Sequence, residues 1–560
     1  IEKVPLDDPK TFELLSRGNT WGVFQLESRG MTELVRSVQP SNIEELIAIL
    51  ALYRPGPLKS GMVTRYVRRK HGREKIDYLL PELEPILRET YGIIVYQEQV
   101  MKIAEEVAGF SLGQADLLRR AMGKKKMEVM QEQIQRFIEG AEQRGVPREK
   151  AQQLIEYIIP FAEYGFNKSH AAGYAVISYW TAYMKAHHLA EFATANLSAE
   201  MHANDSQKKI DKLIRALRRE GLRVQPPDIN ESEYHFRLLE TGDILFGLGA
   251  IKSVGKSAVD EILKVRAIRP FESFEDFLSR APRRAANKKV VEQLIKAGAF
   301  DRLEPNRAYL LKKLEDRSGG RGLQVSTLPG LFGSGSGPSP AISKPPFTLQ
   351  DRLKMEKEAL GFYLTGHPLD PYRPLLQALE IQSSGDLEET DLEHVTLAGV
   401  LVRVQRKMSR QKRPYTVLVF EDLDGEFEVV DFNNGNGSEP KPGLVYLLQG
   451  RLSGDQDTKG ARIRVHHLEP LEVAVSRLAR GVVLEMDLER VEELIPKLQA
   501  LSDRHRGRLP VFFHIPGMGT YVSQNTRWAP SIFLMQQLKE ILGEGKFRLL
   551  LDFQRLSAPA

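Results

Sequence analysis

The stretch Glu-Tyr-Gly-Phe-Asn-Lys-Ser-His-Ala-Ala-Gly-Tyr-Ala, residues 163–175, concentrates polar chemistry just ahead of the smallest side chains available. Asn167 suits a helix N-cap, so Lys168, Ser169 and His170 would fill the first turn. Unsatisfied backbone N–H groups and the helix dipole favour an anion at that end. Lys168 is unfavourable there unless an anion is present. Asn167, His170 and Tyr174 recur at i, i+3 and i+7 and share one face. Ala171, Ala172 and Gly173 would leave room for a flat ligand. The pattern suits a phosphate or nucleotide seat, with a ring and an amide aimed at sugar or base. The plainer alternative is a helix start whose histidine is satisfied within the fold.

Three other stretches bear on chemistry. In Arg-Arg-Ala-Met-Gly-Lys-Lys-Lys (119–126), Arg119 and Arg120 fall in the last turn of a helix, where they complement its dipole. They are also placed to hold a triphosphate or a nucleic-acid strand. In Leu-Phe-Gly-Leu-Gly-Ala-Ile-Lys-Ser-Val-Gly-Lys-Ser (245–257), a phosphate loop of the Walker type would need a glycine where Ala250 stands. A helix-hairpin-helix fits better, with Gly247, Gly249 and Gly255 shaping a turn whose N–H groups meet DNA phosphate and Lys252 and Lys256 at its rim. A purely structural hairpin is the alternative. The run Arg406, Lys407, Arg410, Lys412 and Arg413 is expected in a loop joining two strands, where it would reach a single strand. No acidic cluster suits a two-metal site: Asp424-Gly425 is a hairpin-turn signature, and no catalytic or metal-ligating residue is expected in the chain.

The elements that would position these groups follow from periodicity. Residues 1 to about 300 read as mostly helical, with a short hairpin near 234–251. Residues 317–346 are rich in Gly, Ser and Pro and read as a linker or exposed loop. Residues 395–470 alternate apolar and polar as about five strands, which suits a small barrel, and 475–560 mix strands and helices. The expected fold is therefore multidomain: mainly helical, then a β-barrel of OB-fold type, then a small α+β domain.

At 560 residues the chain exceeds one hydrophobic core. With 79 Lys+Arg against 74 Asp+Glu it is nearly balanced, so its basic residues act through local clusters rather than overall charge. Cysteine is absent, which excludes disulfides, thiolate metal sites and thiol nucleophiles, and fits a cytoplasmic protein. No apolar run suits a membrane span. The opening Ile-Glu-Lys-Val lacks an initiator Met and resembles no signal peptide, so a fragment or processed product is expected.

The stretches Val23–Met31, Tyr53–Met62, Arg68–Glu74, Tyr91–Met101, Leu118–Lys126, Gly165–Ala175, Pro226–Asn230, Gly247–Gly255 and Leu360–Pro368 together closely resemble the C-terminal half of the bacterial replicative DNA polymerase III alpha subunits, a C-family polymerase. The resemblance implies fingers over 1–205, a clamp-binding region with helix-hairpin-helix over 206–345, a helical connector over 346–390, an OB-fold over 391–472 and a tau-binding-like domain over 473–560. It implies that Asn167, Lys168, Ser169, His170 and Tyr174 line the pocket of the incoming deoxynucleoside triphosphate, with His170 near the sugar and Arg119 and Arg120 facing the phosphates. Leu331 and Phe332 match the end of a peptide that docks on the beta sliding clamp, although Leu328 stands where that peptide has Gln. The family's catalytic aspartates, which bind Mg2+ in the palm, would lie upstream of Ile1, so this chain alone is expected to be inactive. Implied partners are primed DNA, single-stranded template, the sliding clamp, the tau subunit and the palm-containing part of the same subunit. A non-catalytic adaptor tethering clamp or loader to DNA, and an error-prone paralogue, are the competing readings.

Overall fold

The structure, a computed structural model, describes all residues except 125–126, 163–164, 319–345, 374–375, 377–380, 386, 388–392, 409–413, 433–439, 454–461, 544–545 and 552–560. The described residues form two compact units. The first comprises residues 1–206, 216–223 and 236–245, and the second residues 207–215, 224–235 and 246–560.

The first unit is built of helices around two cores. One core surrounds the helix Lys168–His187, whose Ala171, Ala175, Tyr179 and Ala182 are buried with Leu46, Ile47 and Ile49 of the helix Ile43–Leu52 and with Phe12 and Leu15 of the helix Pro9–Ser16. Three alanines on one face let the backbones approach closely. Ala171 is thus a packing residue, which corrects the expectation that it makes room for a ligand; Ala172 is half-buried against the same core, and Gly173 has open space where a Cβ would stand. The second core joins the helices Gln97–Ala108, Leu112–Lys124, Met127–Gln143 and Arg148–Ala162 through Val100, Ile103, Leu118, Phe137, Ile138, Leu154 and Ile158. The helix Leu112–Lys124 begins with reciprocal bonds: Ser111 N–H donates to Gln114 Oε1 at 2.8 Å and Gln114 N–H to Ser111 Oγ at 3.4 Å.

A buried ion pair braces the first core. Glu45, its side chain 4% exposed, pairs with Lys70 and accepts from the Tyr91 hydroxyl and, at 2.7 Å, from the Ser41 N–H. Burial alone would raise the Glu45 carboxyl, but Lys70, Tyr91 and Ser41 together hold it below its ordinary value of 4.5. A folded pKa below the unfolded one contributes stability that is complete above about 4.5 and lost as pH falls through the folded value. Wild-type melting temperature should therefore drop as pH goes from 5 to 3. Glu45→Gln should start lower at pH 7, by about 3 kcal/mol for an opened buried pair, and show a shallower acid slope. Parallel slopes in melts across that range would remove Glu45 from the account.

The second unit contains three sub-structures. Its first part carries the 3-10 turn Leu248–Ala250 and the helices Lys256–Ile268, Phe274–Arg280, Lys288–Ala297 and Arg307–Ser318. The helix Leu349–Leu360 follows, opened by a Thr348/Asp351 capping box. The short strands upstream are β1 (Val224–Gln225), β2 (Arg237–Leu238) and β3 (Ile244–Leu245); β2 and β3, which belong to the first unit, pair antiparallel as the expected hairpin. Next comes a closed barrel of β4 (His394–Met408), β5 (Pro414–Glu421), β6 (Glu426–Asp431), β7 (Val445–Ser453) and β8 (Arg462–Pro470), in the order β4-β5-β6-β8-β7. Leu397, Leu401, Leu418, Phe420, Val429, Leu448 and Ile463 fill its interior. The period-two pattern predicts these strands because one face of each points inward. Last comes a sheet in the order β11-β10-β9-β12, from β9 (Ala479–Glu485), β10 (Arg506–Ile515), β11 (Gly519–Trp528) and β12 (Phe547–Leu551). β9 and β10 run parallel, which requires a crossover, and the helix Val491–Arg504 provides it.

Candidate functional site

Asn167 caps the helix Lys168–His187 in extended conformation, its Oδ1 accepting from the His170 N–H at 2.7 Å. The chain just before it is held against the start of the helix Gln97–Ala108: Phe166 N–H donates to Val95 O at 3.2 Å, and Gln97 N–H to Phe166 O at 2.9 Å. This lays the two helix starts side by side. Glu98 receives the Lys168 N–H on both carboxylate oxygens at 3.0 Å, while Lys168 Nζ reaches Glu89 at 2.6 Å and Glu44 at 3.3 Å. The anion seat inferred from Asn167–His170 is thus filled by the protein's own carboxylates. Burial alone would lower the Lys168 ammonium; Glu89 and Glu44 outweigh it and hold the group above its ordinary value.

Arg119 joins the same cluster. Its Nε and Nη2 donate to Asp116 Oδ1 at 2.9 and 2.8 Å, and its Nη1 donates to Gln97 Oε1 at 3.1 Å. Gln97 Nε2 in turn donates to Gly165 O at 3.0 Å. Arg120 takes the other oxygen of Asp116 at 2.7 Å and is otherwise exposed. One side of the helix Lys168–His187 carries a line of rings: Phe166 to His170 at 5.6 Å, His170 to Tyr174 at 4.6 Å, and Tyr174 to Phe24 at 5.5 Å between centroids. The Arg54 guanidinium lies 4.3 Å from the Phe166 centroid. Ser169, His170, Gly173 and Tyr174 are exposed, so the line of rings is accessible for stacking against a flat group.

Arg119, Asn167, Lys168, His170 and Tyr174, which the sequence pattern singles out, therefore lie in one neighbourhood. The pattern misses Gln97, Glu98, Glu89, Glu44, Asp116, Arg54 and Phe166. Gln97 and Glu98 stand in the stretch Tyr91–Met101, but no local periodicity shows that their side chains turn to residues about seventy positions on.

In the helix-hairpin-helix region the glycines divide. A Cβ on Gly247 would stand 2.6 Å from His235 C, and one on Gly249 would stand 2.5 Å from the Tyr234 ring. The N–H of Gly249 donates to Tyr234 O at 3.0 Å. Gly247 and Gly249 serve close packing, which corrects their assignment to a phosphate-facing turn. Gly255, by contrast, is exposed, caps the helix Lys256–Ile268 and has nothing within 4 Å of a Cβ. Lys256 is exposed over the Tyr234 ring at 5.3 Å. Lys252 Nζ donates to Glu358 O at 3.2 Å, and burial with Lys357 nearby lowers its pKa, so it is partly committed to the fold.

On the barrel, Arg406 and Lys407 lie on β4, opposite Thr416 and Tyr415 of β5, rather than in a loop. β4 runs to Met408, so the basic run begins on the strand itself. Beside them Tyr415 stacks on exposed Phe432 at 5.7 Å, and the Arg464 guanidinium lies 5.2 Å from the Phe432 centroid. Arg410, Lys412, Arg413, Leu331 and Phe332 lie outside the described residues. Among the described residues no group of three or more His, Cys, Asp or Glu is placed to hold a metal ion.

Residues 1–145 match the model of the bacterial DNA polymerase III alpha subunit finger domain, and residues 221–310 that of the helix-hairpin-helix motif. The DNA polymerase III subunit alpha of Thermus aquaticus is 43% identical over 539 residues, covering 92% of this chain and 43% of the relative. That of Aquifex aeolicus is 41% identical over 511 residues, covering 90% and 42%. That of Escherichia coli strain K12 is 36% identical over 583 residues, covering 99% and 50%. A solved Replication Protein A heterotrimer bound to ssDNA aligns with 14% of this chain and 59% of that one at 21% identity and a TM-score of 0.12, too low to carry an argument. The chain spans about half the length of the curated relatives it matches. With their finger domain at its head and alignment along nearly all its length, it belongs to the family of bacterial DNA polymerase III alpha subunits.

Proposed function

We propose that this chain supplies the fingers and the domains that follow them in a DNA-directed DNA polymerase, a replicative nucleotidyltransferase. The observation that carries the reading is the convergence of Arg119, Lys168, Asn167 and His170 at two adjoining helix starts. Primer elongation is attack of the primer 3′-hydroxyl on the alpha-phosphate of a deoxynucleoside triphosphate. Arg119, Arg120 and Lys168 would offset the phosphate charge, and His170 with Tyr174 would flank sugar and base. Mg2+, held by carboxylates elsewhere in the subunit, would activate the hydroxyl and stabilise the leaving pyrophosphate.

The remaining parts take supporting roles. Gly255 and Lys256 would meet duplex phosphate. The barrel, whose five-strand order suits an OB-fold, would bind single-stranded template through Arg406, Lys407 and the basic run that continues to Arg413. Leu331 and Phe332 would dock on the beta sliding clamp, and residues 473–560 on the tau subunit of the clamp loader. No helix among the described residues is long and apolar enough to cross a membrane, and the proposed place of action is the bacterial cytoplasm, at the nucleoid.

The test is primer extension with Mg2+ and four deoxynucleotides, alongside primed-DNA binding across a salt series. The expected result is binding that weakens steeply with salt, no extension by the chain alone, and extension once the palm-containing part is added. Extension by the chain alone would place a metal site among the acids of this chain. Absence of DNA binding would refute the reading.

A further inference from the structure

We propose that Gln97 is a positioning residue for Arg119, setting the guanidinium against the N-terminus of the helix Lys168–His187. The inference rests on the nucleotide reading above and goes beyond it by naming what fixes the arginine.

The side chain at 97 is used at both ends. Its Oε1 accepts from Arg119 Nη1 at 3.1 Å, and its Nε2 donates to Gly165 O at 3.0 Å, two residues before the capping Asn167. The backbone N–H of the same residue donates to Phe166 O at 2.9 Å. A carboxamide is the side chain that can offer an acceptor to a guanidinium and a donor to a carbonyl at once. Reversing it would set donor against donor and acceptor against acceptor, so the two partners dictate its orientation.

Asp116 alone does not locate Arg119. It lies three residues earlier on the same helix and moves with it. Gln97 is the contact that ties the guanidinium to a different helix and, through Gly165, to the cap of a third. The three bonds used leave guanidinium donors free for phosphate, since five N–H groups are available. Gln97 itself offers nothing to a phosphate that Arg119 does not offer more strongly; its contribution is where the arginine stands. A shift of about 1 Å in such a group is enough for a large loss of rate.

The experiment is a double-mutant cycle in the complete alpha subunit, with Gln97→Leu, Arg119→Met and the double variant. Steady-state primer extension gives KM and kcat for dATP opposite template thymine, with primed-DNA affinity and melting temperature as controls. Arg119→Met is expected to raise KM by tens of fold and Gln97→Leu by about tenfold. The double variant should resemble Arg119→Met alone, because a positioned group that is gone cannot be mispositioned. DNA affinity should stay within twofold throughout. Fully additive effects would overturn the role of Gln97 and leave the nucleotide reading standing. An Arg119→Met variant with unchanged KM would overturn both. Should Gln97→Leu fail to fold, Gln97→Glu keeps the volume and the acceptor but sets a second acceptor against Gly165 O. In the same cycle it should couple to Arg119→Met, and full additivity there would again overturn the role of Gln97.

Discussion

Lys168→Met, made in the complete alpha subunit, should raise the KM for every deoxynucleoside triphosphate by about ten- to a hundredfold if the proposed nucleotide seat holds, with little change in affinity for primed DNA. The range follows from losing a charge-assisted contact worth about 1.5–3 kcal/mol. Two effects add. The ammonium is lost, and Glu89 and Glu44, which it occupies at 2.6 and 3.3 Å, are left to repel the incoming phosphates. The loss should be the same for all four bases, since charge and not base identity is removed. Lys168→Arg should recover part of it. A KM within twofold of wild type would mean that Lys168 only braces the fold.

Lys168 also shows where local pattern stops being informative. A lysine in the first turn of a helix is a visible anomaly, and it points correctly to an anion. That the anions it meets are Glu98, Glu89 and Glu44 is not visible, because the nearest of these is seventy residues away. The Asn167 cap is readable because it depends on its own next three residues. The barrel strands are readable because alternation is local. Ala171, Gly247 and Gly249 mislead for one reason: a small side chain states that something comes close, without saying whether it is a ligand or another part of the chain. Gly255, placed in the same turn, instead has nothing within 4 Å of a Cβ, which its sequence neighbours do not reveal either.

Lys185→Met should destabilise the first unit by about 2–4 kcal/mol. The Lys185 ammonium is buried and donates to Asn19 O at 3.0 Å, Asn19 Oδ1 at 2.7 Å and Trp21 O at 2.9 Å, lying 3.5 Å from the Trp21 centroid. Burial pushes its pKa down to about 6, with Glu220 and Glu27 opposing the fall, while the three acceptor oxygens favour the protonated form. Methionine keeps most of the volume and removes every donor, so three part-buried acceptors lose their partner at about 1–3 kcal/mol for each left unsatisfied, partly relieved by water. In a unit of this size that loss should lower the melting temperature by roughly 5–15 °C. A melt within 1 °C of wild type would show that the segment Asn19–Trp21 is held by other contacts. Nucleotide KM at a temperature where the variant is folded should change little, which separates this residue from Lys168.

Those bonds belong to a wider arrangement along the helix Lys168–His187. Tyr179 Oη accepts from Asp8 N–H across 171 positions, Ser178 Oγ donates to Phe24 O across 154, and Lys185 meets Asn19 across 166. His187 meets Asp8 across 179. Hardly any of what fastens this helix is made of neighbours in the chain. On the ribosome, at the usual rate of elongation, residues 8–24 emerge roughly ten to thirty seconds before the helix that completes their packing. During that interval Phe12, Leu15 and Val23 have no finished core to enter. This core is therefore a late-closing structure, in which residues 8–24 depend on chaperones or transient local burial until synthesis passes His187.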